Sequence, residues 1–111
     1  MLEIRQYVDR QGNNRFRRWL DAQVDPAQAR ITLAIERLEL GNLSHVKSVG
    51  AGVQELRIDF GPGYRIYFGW DGTELVILLA GGTKKRQQTD IEVAKELWRE
   101  FKSRKREGSW F

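Results

Sequence analysis

Residues 53–80 read VQELRIDFGPGYRIYFGWDGTELVILLA, β-rich runs interrupted by two turns. Gly61-Pro62-Gly63 and Asp71-Gly72 are hairpin signals, because tight hairpin turns need backbone angles that glycine adopts without steric cost. The stretch therefore predicts three consecutive antiparallel strands. Side chains alternate across a strand, so Leu56, Ile58 and Phe60 share one face of the first run. Tyr64, Ile66, Phe68 and Trp70 share one face of the second. The last run is apolar on both parities (Leu75, Ile77, Leu79 and Val76, Leu78, Ala80), which suits an interior strand covered on both sides. The register that buries both apolar faces puts Arg57 and Arg65 together on the opposite face, with Glu55, Asp59 and Tyr67. Arg65 is thereby expected off the core.

Upstream, LEIRQYV at 2–8 alternates Leu2, Ile4 and Val8 against Glu3, Arg5 and Tyr7, a short strand. After Gly12, Asn13 or Asn14 caps a short helix carrying Phe16, Trp19 and Leu20 on one face, with Arg15, Arg17 and Arg18 mostly on the other. A second helix is expected from an Asp25 N-cap and Pro26 through Ile31, Ala34, Ile35 and Leu38, ending at Gly41. The two make a helical hairpin. Residues 42–52, NLSHVKSVGAG, read as a loop. Downstream, Thr89-Asp90-Ile91-Glu92 has the form of a capping box. It predicts a last helix with Ile91, Ala94, Leu97, Trp98 and Phe101 inward. The expected order is β-α-α-β-β-β-α: one α+β domain over 1–103, followed by a basic, aromatic tail at 104–111.

The chain has 111 residues and no cysteine, which excludes disulfides and thiolate metal sites. The N-terminus lacks the apolar h-region of a signal peptide, and no stretch reaches the roughly 20 apolar residues of a membrane span. A cytoplasmic, soluble domain without membrane association is the expectation. Nineteen Lys and Arg against fifteen Asp and Glu give a net charge of +4. That balance favours a polyanionic partner, although a charge of this size also serves plain solubility. On one reading, Glu55 and Asp59 form ordinary cross-strand ion pairs with Arg57 and Arg65. The cluster Lys84-Lys85-Arg86 has no acid in its own segment. Arginine forks held on strands, with mobile lysines at the edge, are what a phosphate-binding surface needs.

In combination, GVQELRIDFGPGYRIYF and VILLAGGTKKRQQTDIEVAKELW resemble the HigB-like branch of the RelE/ParE toxin superfamily. These are the addiction module killer proteins of bacterial type II toxin–antitoxin systems. The resemblance extends over nearly the whole chain and implies a RelE-like fold, a helical hairpin and a C-terminal helix on a small antiparallel sheet. It further implies a ribosome-dependent mRNA endonuclease, neutralised by a cognate, HigA-like helix-turn-helix antitoxin. The implied chemistry is attack by an RNA 2′-hydroxyl on its own adjacent phosphate, which calls for no metal and no cofactor. It requires stabilisation of transition-state charge and a group that moves protons.

Carried over residue by residue, Arg65 of the GYR segment stabilises the phosphate, with Arg57 and Lys84 as further catalytic cations. Lys47, Lys85 and Arg86 are nucleic-acid-binding, and Tyr67 stacks on a base. Some RelE-type nucleases carry a tyrosine near the start of the last helix; here the neighbourhood is Thr89-Asp90-Ile91. Proton transfer is left to His45, the single histidine, or to Asp90, each of which also has a plainer reading: a surface histidine and a dipole-stabilising helix residue. Two other functions stand beside the nuclease: a ParE-like inhibitor of DNA gyrase, and a non-toxic RNA-binding relative.

Overall fold

The computed structural model of the chain describes residues 1–108. Its order is β1 (Glu3–Gln6), α1 (Arg15–Asp21), α2 (Asp25–Glu39), β2 (Val46–Gly50), β3 (Val53–Ile58), β4 (Tyr64–Asp71), β5 (Leu75–Thr83), a 3₁₀ turn (Lys84–Arg86) and α3 (Gln87–Glu107). The strands form one five-stranded sheet, β1-β5-β4-β3-β2. The β3–β4–β5 meander matches the expected hairpins, with Leu56 opposite Ile66 and Arg57 opposite Arg65.

The sheet differs from the expected antiparallel one in two ways. First, β1 pairs with β5 in parallel, so the sheet is mixed. Second, part of the expected 42–52 loop is strand β2, antiparallel to β3. Its turn is Ala51-Gly52, with φ of 55° and 83°, the left-handed pair that short hairpins favour. The strand itself is mostly exposed and carries two valines at 46 and 49, too little alternation to stand out in sequence.

Both faces of the sheet are covered. Phe16, Leu20, Ala27, Ile31 and Leu38 of the helical hairpin pack on Leu56, Ile66, Phe68, Val76 and Leu78. Ile91, Ala94, Leu97, Trp98 and Phe101 of α3 pack on Val53, Tyr67, Ile77 and Leu79 on the other side. A register shift where β4 passes from Tyr67 to Phe68 puts Leu79 and Ala80 of β5 both on the α3 side. Close approach needs glycine at two points of β5: a methyl group at Gly81 would overlap the Trp19 ring, and one at Gly82 would overlap the Asp90 carboxylate.

The helix ends depart modestly from expectation. Asn14 caps α1, its side chain accepting from the Arg17 amide at 2.9 Å. The N-cap of α2 is Val24, one residue before Asp25. The capping box at Thr89 is not the start of α3, because the 3₁₀ turn feeds straight into a helix that begins at Gln87. Nor does the domain end at 103. Helix α3 runs to Glu107, and Arg104 donates to the Val8 carbonyl at 2.8 Å, tying the helix to the chain just after β1. Tyr7 donates to Glu100 on the same helix. Burial and then that hydrogen bond push the Tyr7 phenol up to about 12, so it stays a neutral donor. The last three residues of the expected tail lie outside the described residues.

Candidate functional site

Strand pairing lays the polar residues of the α3-facing side in two cross-strand rows. In one, Lys47 of β2 lies opposite Glu55 of β3, which lies opposite Tyr67 of β4. In the other, the Arg57 amide donates to the His45 carbonyl at 3.0 Å. Arg57 then lies opposite Arg65, and Arg65 opposite Gly82 of β5. Two arginines directly across a ladder repel, so the pair needs acids nearby. Arg57 Nε lies 3.2 Å from Asp59, and Arg65 Nε lies 3.5 Å from Glu55. Of these, Arg65 with Glu55 is a cross-strand pair of the plainer reading, whereas Arg57 pairs with Asp59 along its own run of chain.

Arg65, expected off the core, is instead enclosed. The N-terminal part of α3 covers the β4–β5 half of this face, leaving Arg65 8% exposed and Glu55 1%. Gln87 at the start of α3 donates to Glu55 at 2.7 Å, and Tyr67 approaches the same carboxylate at 3.4 Å. Lys47 reaches its other oxygen at 3.6 Å. Glu55 is thus the hub that holds Arg65. The guanidinium makes no hydrogen bond to a protein acceptor among the described residues; its ion pair to Glu55 is electrostatic, with Nε itself unbonded. A buried arginine with unused donors is poised for an anion that arrives from outside.

A cleft of about 160 Å³ opens beside it, lined by Ser44, His45, Val46, Lys47, Glu55, Arg57 and Arg65. Four of the expected site residues thus meet there: His45, Lys47, Arg57 and Arg65. Lys84 does not line the cleft but lies close to Arg65, across Gly63. Its amide donates to the Gly63 carbonyl at 3.0 Å, and a methyl group at Gly63 would sit 3.4 Å from Arg65 Nη1 and 3.7 Å from Lys84 Cβ. Lys85 and Arg86 stand exposed on the 3₁₀ turn and do not line the cleft.

Tyr67 is a correction. Its side chain is fully buried under α3, so it cannot stack on a base. Burial, then the charges of Glu55 and Asp90, push its phenol far above the usual range, which keeps it a neutral hydroxyl. Asp90 sits in the first turn of α3 with one oxygen buried and unbonded against Gly82. Burial raises its pKa above the usual carboxylate value, and Arg86 partly offsets this. It is not part of the cleft lining.

Residues 18–99 match the family described as "Phage derived protein Gp49-like (DUF891)". The chain belongs to the Gp49-like family. That family consists of addiction-module killer and toxin-like proteins, which ties the chain to toxin–antitoxin systems. The match contains every residue of the cleft, from Ser44 to Arg65, together with Lys84 and Asp90. This Gp49-like chain is also similar to an uncharacterized protein of Haemophilus influenzae, with 50% identity over 75 residues, covering 68% of this chain and 76% of the relative.

Sequence reasoning on this Gp49-like chain missed Glu55 and Gln87 as organisers of the site. A signal for Glu55 was present: it shares a sheet face with Arg65, where strand parity marks it as an ordinary ion-pair partner and not as the hub. For Gln87 there was none, because its partner lies 32 residues away on another element.

Proposed function

We propose that this chain is the toxin of a type II toxin–antitoxin module, in the manner of the HigB-like branch of the RelE/ParE superfamily, and cleaves mRNA on the ribosome. The observation that carries this is Arg65, buried beside the cleft with its guanidinium donors unused by protein acceptors. A scissile phosphate in the cleft would accept two of those donors, in the fork geometry that guanidinium and phosphate share. As the 2′-hydroxyl attacks, its oxygen bonds to phosphorus and the bond from phosphorus to the 5′-oxygen breaks. Negative charge grows on the equatorial oxygens, where a preorganised cation is worth most. Glu55 keeps Arg65 in one orientation before substrate arrives, so little reorganisation is left for the reaction.

Arg57 and Lys47 line the same space, and with Lys84, which lies just past Gly63, they hold the neighbouring phosphates. His45 lines the cleft and is exposed, so it is the group assigned to take the 2′-hydroxyl proton. The departing 5′-oxygen takes a proton from water, leaving a 2′,3′-cyclic phosphate and a 5′-hydroxyl. A cleft of only about 160 Å³ does not hold flexible RNA in line for attack. The ribosome supplies that alignment, worth several kcal/mol.

The test is to incubate the purified protein with an mRNA, naked and in stalled ribosome complexes, and map the ends. Codon-phased cutting on the ribosome alone is expected. Equal cutting of naked RNA discards ribosome dependence. No cutting of either, with gyrase supercoiling inhibited, replaces the nuclease with the ParE-like activity.

A further inference from the structure

The two oxygens of Glu55 are used unequally. Gln87 donates to Oε1 at 2.7 Å, the Tyr67 hydroxyl stands 3.4 Å from the same atom, and Arg65 Nε lies 3.5 Å from it. Oε2 has Lys47 Nζ at 3.6 Å. A carboxylate oxygen offers two lone pairs. On Oε1 the short bond from Gln87 takes one, and Tyr67 stands nearest the other. Arg65 Nε is left without a hydrogen bond among the described residues, although both charged side chains are almost enclosed. A guanidinium beside a buried carboxylate ordinarily closes to a charge-assisted bond of about 2.7–2.9 Å. Here it stays open, and the group in the way is the Gln87 amide.

We propose that Gln87 is a positioning residue that keeps Arg65 available. By occupying the Glu55 oxygen that faces the guanidinium, it stops the two charges from locking together and leaves the arginine's donors to a phosphate in the cleft. The inference rests on the phosphate-binding reading of that cleft.

A carboxamide suits this task better than the other side chains that could stand there. A lysine or arginine at 87 would neutralise Glu55 and remove the charge that orients Arg65. An apolar side chain would leave Oε1 free for Arg65 Nε to claim. The neutral amide fills the lone pair and leaves the carboxylate its charge. Its place is set by the backbone. The Lys84 amide donates to the Gly63 carbonyl at 3.0 Å, docking the 3₁₀ turn beside the start of β4, and Gln87 follows as the first residue of α3. Losing the amide therefore separates stability from binding. In Gln87→Met, Arg65 replaces the lost donor on Glu55, so the fold keeps a hydrogen-bonded ion pair while the cleft loses its fork.

The experiment compares the full wild-type chain with Gln87→Met and, as a second truncation, Gln87→Ala. Urea midpoints, the NMR signal of the Arg65 Nε–H (assigned with Arg65→Lys) and binding of a fluorescein-labelled oligouridylate are measured on each. The expected midpoints equal or exceed wild type. The Arg65 Nε–H signal should move to the position of a hydrogen-bonded arginine, a change that a merely structural role would not produce. RNA affinity should fall about 10-fold, with the salt dependence shallower by about 0.7, one phosphate contact on a single strand. An unmoved Arg65 signal overturns the inference, as does RNA affinity within about twofold of wild type. Stability and affinity falling together in both variants would make Gln87 a plain support for Glu55 and overturn it too. If the signal and the affinity change as expected while the wild-type chain cuts no mRNA on the ribosome, the positioning role stands and the nuclease falls.

Discussion

Replacing Glu55 by Gln leaves Arg65 as a buried cation without its counter-charge. Both side chains are almost enclosed, Glu55 at 1% and Arg65 at 8% exposure. Removing one member of a buried pair typically costs about 3–5 kcal/mol, mostly because the other charge stays desolvated. Here the lower end applies, since Arg65 still touches the cleft and its solvent. Lys47 relieves little of the opposite loss, because its side chain is 66% exposed and a pair so open to water is weak. In Arg65→Met, Glu55 keeps its bond from Gln87, so a loss of about 2–3 kcal/mol is expected. The double variant removes both charges together and should lose less than the two single losses combined. A coupling of about 2–3 kcal/mol is expected from a cycle of urea unfolding curves, with m-values held constant. Additive losses, with coupling below about 0.5 kcal/mol, would refute the hub role of Glu55. Activity should separate from stability. Arg65→Lys keeps the charge and should unfold close to wild type, yet lose about 10²-fold in cleavage on the ribosome, because the fork is gone.

Phe68 is fully buried under the helical hairpin; Phe68→Ala should lose about 3–5 kcal/mol in urea, and a variant as stable as wild type would mean that the sheet faces are inverted. Gly81→Ala drives a methyl into the Trp19 ring, which is wedged between Phe16 and Tyr64, so a loss of about 1–3 kcal/mol with altered tryptophan fluorescence is expected. The Asp90 carboxyl should titrate above the ordinary 3.8 when followed by NMR. With the folded pKa raised, its contribution to stability is present below about 3.8 and is lost as pH rises through the folded value. Asp90→Asn should therefore gain on wild type as pH increases across that window, and a midpoint at or below 3.8 would exclude burial as the controlling influence.

Alternation and turn chemistry are local, and they were legible in the sequence. The hairpins at Gly61–Gly63 and Asp71-Gly72, the apolar face from Tyr64 to Trp70 and the inward stripe of α3 follow from period and glycine placement alone. So does the pairing of Arg57 with Arg65 on one face, because register is set by which face must be buried. The same parity argument brought His45 no closer to Arg57, since the strand that links them was not visible. Strand β2 has two valines and sits at the sheet edge. Its pairing is decided by the open ladder of β3, not by a pattern of its own.

What covers a face is a property of distant chain segments. Arg65 and Tyr67 carry the parity of a polar side, yet α3, which begins only at Gln87, closes over them. Glu55 and Gln87 reveal their roles only when 32 intervening residues fold back. Nothing in Thr89-Asp90-Ile91-Glu92 tells that the helix has already begun at Gln87, because the start is set by a tight 3₁₀ turn and by Gly82 admitting Asp90. The sequence by itself thus determined which residues lie side by side on each strand. Only the tertiary structure decided which of them meet water: side-chain direction is written in the local backbone, whereas desolvation depends on whatever packs above it.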